Sequence, residues 1–124
     1  MSIKIEEIKP VHVDKRGSIT DLLNESINHV GLITTEEGCV RANHYHKKST
    51  QYNYVLSGKF EVSISSVDKP LDKKIIILEP GMLLIIPPMT IHKFKAIEKT
   101  VLIDMISESR GGQGYEEDVV RVHE

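Results

Sequence analysis

The chain has 124 residues, a formal net charge of -2 and one cysteine, Cys39. This length suits a single domain with its own core, which we expect to span residues 1–124. The small net charge gives no reason to expect nucleic acid or a membrane as a partner, and a lone cysteine excludes an intrachain disulfide. Because the first residues are charged and no apolar run is long enough to span a bilayer, the sequence predicts a soluble cytoplasmic protein.

In chain order, short β-prone runs alternate with turns rich in Gly, Pro, Asp and Asn, and no apolar helical stripe lasts for three turns. The predicted strands cover residues 3–8, 18–23, 30–34, 39–46, 51–56, 59–66, 73–78, 83–86, 91–97 and 100–106. About ten short strands at regular intervals predict an all-β sandwich or barrel, and a jelly roll fits both their number and the chain length.

The end of the chain combines two different patterns. Residues 109–114 are rich in glycine and predict a loop, whereas residues 118–122 are β-prone. This last run could pair with the edge of the sheet or be swapped into a second subunit. Because open sheet edges are commonly covered by a partner, we expect a homodimer.

Three histidines mark the candidate site. His44 and His46 lie two apart in one predicted strand, so their side chains share a face, and Gln51 opens the next strand. His92 begins a later strand after the turn at Pro87. Imidazoles on one face with a further oxygen donor suit either a metal ion or a proton-transfer site, and the residues alone leave both open.

Other polar residues near these strands have weaker signals. Arg41 could bind a phosphate, although strict alternation directs it away from the histidine face, where it would be a surface charge. Asn53 shares the face of Gln51 and could line a pocket, whereas Tyr52 and its neighbouring tyrosines fall on the opposite face and predict packing there or between subunits. Asp104 interrupts an apolar strand; a buried carboxylate must be paired, so it either orients a histidine or satisfies backbone groups.

The spacing of these residues resembles the two motifs of the cupins. The first covers residues 38–58 and the second residues 81–96, with matching positions at Gly38, His44, His46, Gln51, Gly58, Gly81, Pro87 and His92. The resemblance implies a single-domain cupin jelly-roll barrel, or double-stranded β-helix. It also implies a divalent transition metal (Zn, Fe, Mn or Ni) bound by His44, His46, Gln51 and His92.

The chain departs from the cupin pattern at three positions. Gln51 stands where glutamate is usual, Met89 where glycine is usual, and Ala96 where asparagine is usual. The first departure matters for chemistry, because a neutral amide oxygen is a poorer metal ligand than a carboxylate. The cofactor is therefore either a metal or none.

A narrower resemblance covers residues 14–19 and the segment from Arg41 to Gln51, which look like those of dTDP-sugar 3,4-ketoisomerases and, more distantly, 3,5-epimerases. Glutamine is usual at this place in the ketoisomerases, where the histidine pair is taken to act as acid and base without metal. Their Arg-Gly-x-His-Ala-His segment differs from residues 41–46 of this chain, which read Arg-Ala-Asn-His-Tyr-His.

This resemblance implies an isomerase or epimerase of a nucleotide-linked keto-sugar in polysaccharide biosynthesis. His44 and His46 would be catalytic, and Arg41 and Asn53 would bind the substrate. Two alternatives stay open: a metal-dependent cupin enzyme of another class, such as a dioxygenase or decarboxylase, and a non-catalytic cupin that binds a metal or a sugar.

Overall fold

The computed structural model describes residues 3–108 and 117–122. Within these residues the strands are β1 (Lys4–Glu7), β2 (His12–Asp14), β3 (Gly17–Ile19), β4 (His29–Thr35), β5 (Val40–His46), β6 (Gln51–Ser57), β7 (Phe60–Ser66), β8 (Lys69–Leu78), β9 (Met82–Ile86), β10 (Thr90–Ala96), β11 (Thr100–Ile106) and β12 (Val119–Arg121). In this part of the chain, no helix has the length and apolar character needed to cross a membrane.

Two five-stranded antiparallel sheets form the body of the protein. Sheet I has the strand order β1-β9-β6-β11-β4 and sheet II the order β12-β5-β10-β7-β8, while β2 and β3 form a separate hairpin. From β4 onward the chain changes sheet at every connection except the one between β7 and β8. This winding between sheets makes a jelly roll, so the predicted all-β barrel is confirmed.

Alternation along the strands fills the space between the sheets. Phe60 and Val62 on β7 and Phe94 on β10 are buried in a cluster with inward residues of sheet I, among them Val55 and Leu102. A second cluster lies on the other face of sheet I, where Tyr52, Leu83 and Met105 pack with residues of the segment that follows β3. The predicted outer-face packing of Tyr52 is thus confirmed.

A bulge in β5 changes which side chains face inward. His44 pairs with His92, but the next pair is Ala42 with Lys93, which leaves Asn43 as an extra residue. Ala42 and Asn43 adopt φ values of 71° and 68°. Beyond the bulge Arg41 pairs with the inward-facing Phe94. The expectation that Arg41 points away from the histidine face is therefore wrong, because the extra residue reverses the alternation.

Two motif positions have conformations that explain the residue usual there. Gly58 has a φ of +87°, and a Cβ at this position would collide with the backbone oxygen of Lys99. Only glycine fits that approach. Met89, which replaces the usual glycine, has a φ of 64° in the turn before β10.

The end of the chain joins sheet II. Val119, Val120 and Arg121 of β12 pair with His46, Tyr45 and His44 of β5 in the same chain. The β-prone run therefore pairs with the sheet, one of the two predicted arrangements. The predicted glycine-rich loop at residues 109–114 lies outside the described residues.

Candidate functional site

The three predicted histidines converge between the sheets. His44 and His92 are directly opposed on β5 and β10, and His46 follows two residues later on the same side. One ring nitrogen of each lies within 4.8 Å of the others, and the ring centroids of His44 and His92 are 4.7 Å apart. His46 and His92 are buried and His44 is half-buried. The structure thus brings together the three imidazoles that the spacing singled out.

The hydrogen bonds of His92 define its tautomer. Its Nδ1 lies 3.0 Å from the carbonyl oxygen of Thr90, which can only accept, so Nδ1 carries the hydrogen. The Nε2 atom then carries a lone pair and no hydrogen, and it is buried without a hydrogen-bond partner among the described residues. Burial first, and then the charges of His44 and His46, lower the pKa of His92 from 6.5 to about 3. His92 is therefore neutral near pH 7.

His46 is held by a carboxylate that the sequence analysis missed. Its Nδ1 lies 2.9 Å from Oδ2 of Asp118, a residue that is 4% exposed. The Oγ of Ser49 and the backbone N–H groups of Lys48 and Ser49 also donate to Asp118. Burial opposes ionisation of Asp118, but the hydrogen bonds from Ser49, the Lys48 backbone and His46 outweigh it and lower the pKa of this carboxyl. Asp118 is thus an ionised partner that fixes the Nδ1–H of His46.

No residue near the histidine motif predicts a role for Asp118 in the site. The only signal is the β-prone run that it opens, because pairing of that run with β5 sets Asp118 beside His46. Sequence alone leaves the partner of that run open.

A row of buried polar side chains on sheet I completes the site. The Oε1 of Gln51 lies 3.2 Å from Nε2 of His46, and the Gln51 amide donates to Oδ1 of Asn53 over 2.7 Å. The Asn53 amide donates in turn to Oδ1 of Asp104, also over 2.7 Å. Of the two roles predicted for Asp104, the structure supports orientation of a histidine, because two side-chain amides connect Asp104 to His46.

These contacts favour one positive charge, a proton or a metal ion, between His46 and Gln51. Gln51 presents an oxygen acceptor to Nε2 of His46, whose Nδ1–H already points to Asp118. Two lone pairs facing each other repel, so the oxygen of Gln51 stabilises a hydrogen that Nε2 takes up or a cation between the two atoms.

The donor set also fits a divalent metal. The bare Nε2 of His92 and the carboxylate support of His46 are features of histidine ligands. The Nε2 of His46 and the Oε1 of Gln51 lie 3.2 Å apart, and one ring nitrogen of each of the three histidines lies within 4.8 Å of the others. A metal would thus be held by His44, His46, His92 and Gln51.

A cavity of about 450 Å³ leads to this cluster. Its lining includes His44, His46, Gln51, Asn53, Arg41 and residues 32–35 of β4, whereas the fully buried His92 lies behind it. Arg41 donates from Nε to Thr35 Oγ1 over 3.1 Å and from Nη2 to the Thr34 carbonyl oxygen over 2.9 Å. These bonds use two of its five N–H donors. All predicted site residues except His92 therefore line one cavity.

Comparisons with known proteins agree with this geometry. Residues 31–106 match the family described as "Cupin domain". A comparison with curated proteins finds no match.

Several solved structures share the fold over nearly the whole chain. The sugar 3,4-ketoisomerase QdtA from Thermoanaerobacterium thermosaccharolyticum, in complex with TDP, is 26% identical with a TM-score of 0.77, covering 98% of this chain and 88% of that chain. A 3,4-ketoisomerase from Helicobacter canadensis is 23% identical with a TM-score of 0.81, covering 98% and 92%. A dTDP-4-dehydrorhamnose 3,5-epimerase from Bacillus anthracis, with TDP and PPi bound, is 20% identical with a TM-score of 0.77, covering 97% and 78%.

These structures are of the enzyme classes that the sequence motifs resemble, so the predicted similarity is confirmed. The family match covers more than half of the sequence and includes both histidine motifs. The chain therefore belongs to the cupin domain family.

Proposed function

We propose that this protein is an isomerase or epimerase that acts on a nucleotide-linked keto-sugar in polysaccharide biosynthesis. The observation that carries the proposal is that His46, which lines the cavity, is held at Nδ1 by the buried carboxylate of Asp118. A histidine whose Nδ1 is fixed by a carboxylate can take and return a proton at Nε2. The likeness to QdtA, 26% identical and solved with TDP, supports this substrate class.

The reaction needs a base and an acid on either side of a ketone. A base removes the proton from the carbon next to the carbonyl, and the electron pair of that C–H bond forms a C=C bond. The carbonyl π electrons move to oxygen, which an acid protonates, giving an enediol. Loss of the proton from the neighbouring hydroxyl and protonation of the former carbonyl carbon then move the ketone by one position. If the carbonyl oxygen instead loses its proton again while an acid on the opposite face protonates the first carbon, the ketone is restored and the product is the epimer.

His46 suits the role of base. When its Nε2 takes the proton, the ring becomes an imidazolium that Asp118 stabilises at Nδ1, while the oxygen of Gln51 accepts the new Nε2–H. Each such proton transfer contributes about 10²–10⁴-fold to a rate.

His44 suits the role of acid, because it lines the same cavity and its ring centroid lies 5.0 Å from that of His46. His92 does not suit it, since its pKa of about 3 keeps it neutral and it does not line the cavity.

Arg41 is proposed to bind the diphosphate of the nucleotide. Its guanidinium lies in the cavity wall and is held in place by Thr34 and Thr35. A planar guanidinium with donors remaining is well suited to phosphate oxygens. Asn53 lines the same cavity and would be a second substrate contact.

Solvent exchange tests the proposal directly. The purified protein is incubated with dTDP-4-keto-6-deoxyglucose in D₂O, and deuterium at the carbons next to the ketone is followed by NMR. We expect incorporation that is lost in His46→Asn and kept in His29→Asn, a histidine on β4 outside the cluster. No incorporation into any dTDP-4-keto-6-deoxysugar would refute the proposal. Incorporation that survives in His46→Asn would refute the role of His46.

A second candidate is a metal-dependent cupin enzyme of another class, such as a dioxygenase or decarboxylase. The bare, buried Nε2 of His92 favours it, since this atom suits a ligand of Zn, Fe, Mn or Ni. Such an ion would polarise a bound carbonyl. Elemental analysis of protein purified without chelator tests this candidate. One equivalent of metal that His44→Ala removes supports it, and metal-free native protein that turns over the keto-sugar contradicts it. Stabilisation by TDP-sugars without any exchange would instead indicate a non-catalytic binding protein.

We also propose a homodimer and a cytoplasmic location. In the described residues, β1 and β4 border sheet I and β12 and β8 border sheet II. Val30 and Leu32 on the border strand β4 are 62% and 68% exposed, which suits cover by a second copy. Sedimentation analysis of the purified protein tests the dimer.

A further inference from the structure

The polar row on sheet I is unusual because it lies inside the barrel. Asn53 and Asp104 are directly opposed on β6 and β11, and Gln51 lies two residues before Asn53 on the same face. All three side chains are at most 9% exposed. Buried amides and carboxylates are tolerated only when their hydrogen bonds are satisfied, so the direction of each bond in this row matters.

The chemistry of the three groups gives the row one direction. The amide nitrogen of Asn53 is turned toward Asp104 and donates to its Oδ1. The Asn53 oxygen then faces Gln51, which must use its own amide nitrogen as donor. This leaves the Gln51 oxygen directed at His46. The orientation of Gln51 at the site is therefore imposed from Asp104, two side chains away.

We infer that Asn53 and Asp104 are positioning residues that act through Gln51 and hold its carbonyl oxygen, not its amide, toward His46 and the cavity. This inference goes beyond the proposed function and does not depend on it, because a metal or a proton at His46 needs the same oxygen. It also gives Asn53 a positioning task in addition to the substrate contact proposed above.

The inference identifies the ligand chemistry that the cavity accepts at this point. A fixed carbonyl oxygen binds groups that donate hydrogen bonds, such as hydroxyls, or a cation. It repels a carbonyl or carboxylate oxygen. A keto-sugar would therefore present a hydroxyl to Gln51 and direct its ketone elsewhere, toward a donor.

A double-mutant cycle tests the direction of the row. In Gln51→Glu a carboxylate oxygen faces the side-chain oxygen of Asn53, and the two acceptors repel. If the Asn53 amide rotates by about 180°, its oxygen faces the carboxylate of Asp104 instead, and the repulsion remains. We expect this variant to lower Tm by several degrees. Adding Asp104→Asn supplies a donor at the far end, so Asn53 can turn over and keep a hydrogen bond to each of its two neighbours in the row. The combined variant Gln51→Glu/Asp104→Asn should regain at least half of the lost Tm, although Asp104→Asn alone lowers Tm. Chelator is present throughout, so that metal binding does not contribute.

A matched control separates the effect of hydrogen-bond direction in the row from the effect of net charge. Gln51→Glu/Asp118→Asn has the same net charge as the unmodified protein but changes a carboxylate outside the row, and we expect no recovery of Tm. Additive losses in the first double variant, or equal recovery in this control, would overturn the inference.

A measurement on the unmodified protein shows which end of the Gln51 side-chain amide faces His46, even where a variant does not fold. Nuclear Overhauser effects from the Gln51 side-chain amide protons should reach the side chain of Asn53 and not the ring protons of His46. The reverse pattern would overturn the inference.

Discussion

The buried ring of His46 donates its Nδ1–H over 2.9 Å to the carboxylate of Asp118, which lies 72 positions further along the chain. Pairing of β12 with β5 makes this contact, since Val119 is opposite His46 and Asp118 directly precedes it. Because Nδ1 is committed, His46 can exchange a proton or bind an ion only through Nε2. The pair thus fixes which atom of His46 faces a ligand.

Removing the charge of Asp118 tests the pair. In Asp118→Asn an oxygen still accepts from His46, but no charge stabilises the imidazolium that forms when Nε2 takes a proton. We expect the maximal rate of solvent exchange into the keto-sugar to fall about 100-fold or more, with little change in KM. Initial rates of deuterium incorporation measure this.

Glu117→Gln is the matched control, since it changes the charge of an exposed carboxylate one position away. We expect its rate to stay within about twofold of the unmodified protein. Equal rates in the two variants would show that the Asp118 charge has no part in proton transfer.

The pH dependence of stability should reflect His92. Its pKa falls from 6.5 in the unfolded chain to about 3 in the folded protein, because burial and the neighbouring imidazoles disfavour the charged ring. Between these values the unfolded chain binds a proton that the folded protein does not. The free energy of unfolding therefore falls as the pH drops, by about 1.4 kcal/mol for each pH unit well below 6.5.

Urea unfolding at pH 7.5, 6, 5 and 4 with chelator present measures this slope, and His92→Gln should remove most of it above pH 5. Asp118 acts lower in pH. Its pKa is lowered from 3.8, so its contribution is complete above that value and is lost only as the pH falls further. The exposed His12 provides the control variant His12→Gln, which should keep the slope of the unmodified protein. An unchanged slope in His92→Gln would mean that His92 is not the group responsible.

Arg41 is predicted to bind the phosphates rather than take part in proton transfer. In Arg41→Ala we expect the Kd for TDP and the KM for the nucleotide sugar to rise about 10-fold to 100-fold, while the maximal exchange rate changes little. Calorimetric titration with TDP and the exchange assay measure the two effects. Lys95→Ala removes an exposed charge on β10 outside this cavity and should leave both constants unchanged. A large loss of maximal rate in Arg41→Ala would place this residue near the reacting carbons instead.

Local patterns predicted which histidines share a strand face, and the resemblance to the cupin motifs implied that His92 joins His44 and His46. The side chains of His44 and His46 share a face because strands alternate with a period of two, and the same rule set His92 in line with Phe94 and Ala96. These inferences need no long-range information. The short alternating runs also sufficed for most strands and for the all-β fold, because each sheet buries one face against the other. They missed β2, and the predicted strand over residues 18–23 is wrong beyond Ile19, where β3 ends.

The supporting residues could not be predicted in the same way. Asp118 reaches His46 only through the register of β12, and Asp104 acts on it only through Asn53 and Gln51. Register across distant strands is set by the packing of the whole barrel, which no single segment encodes. For Arg41, the local alternation rule itself predicted the wrong side of the strand. One extra residue in β5 reverses the alternation, and a bulge of this kind has no strong local signal beyond residues that tolerate a positive φ.

The bulge itself carries a testable strain at Ala42. This residue has a φ of 71°, in the left-handed region where a Cβ costs about 1 kcal/mol and glycine costs little. The ketoisomerase segment that residues 41–46 resemble has glycine at this place, which this conformation explains. Ala42→Gly should raise Tm by about 2–4 °C, since the relief of strain slightly exceeds the entropy lost by glycine on folding.

Ala96→Gly is the matched substitution for a residue outside the left-handed region. Ala96 is buried in β10 and is not among the residues with a positive φ, so glycine removes a packed methyl group and adds unfolded-state entropy. We expect a lower Tm for this variant, and differential scanning calorimetry of the two proteins measures the contrast. A fall in Tm for Ala42→Gly as large as that for Ala96→Gly would show that the bulge is not strained. The inward placement of Arg41 would then rest on the pairing of β5 with β10 alone, without a conformational penalty at Ala42.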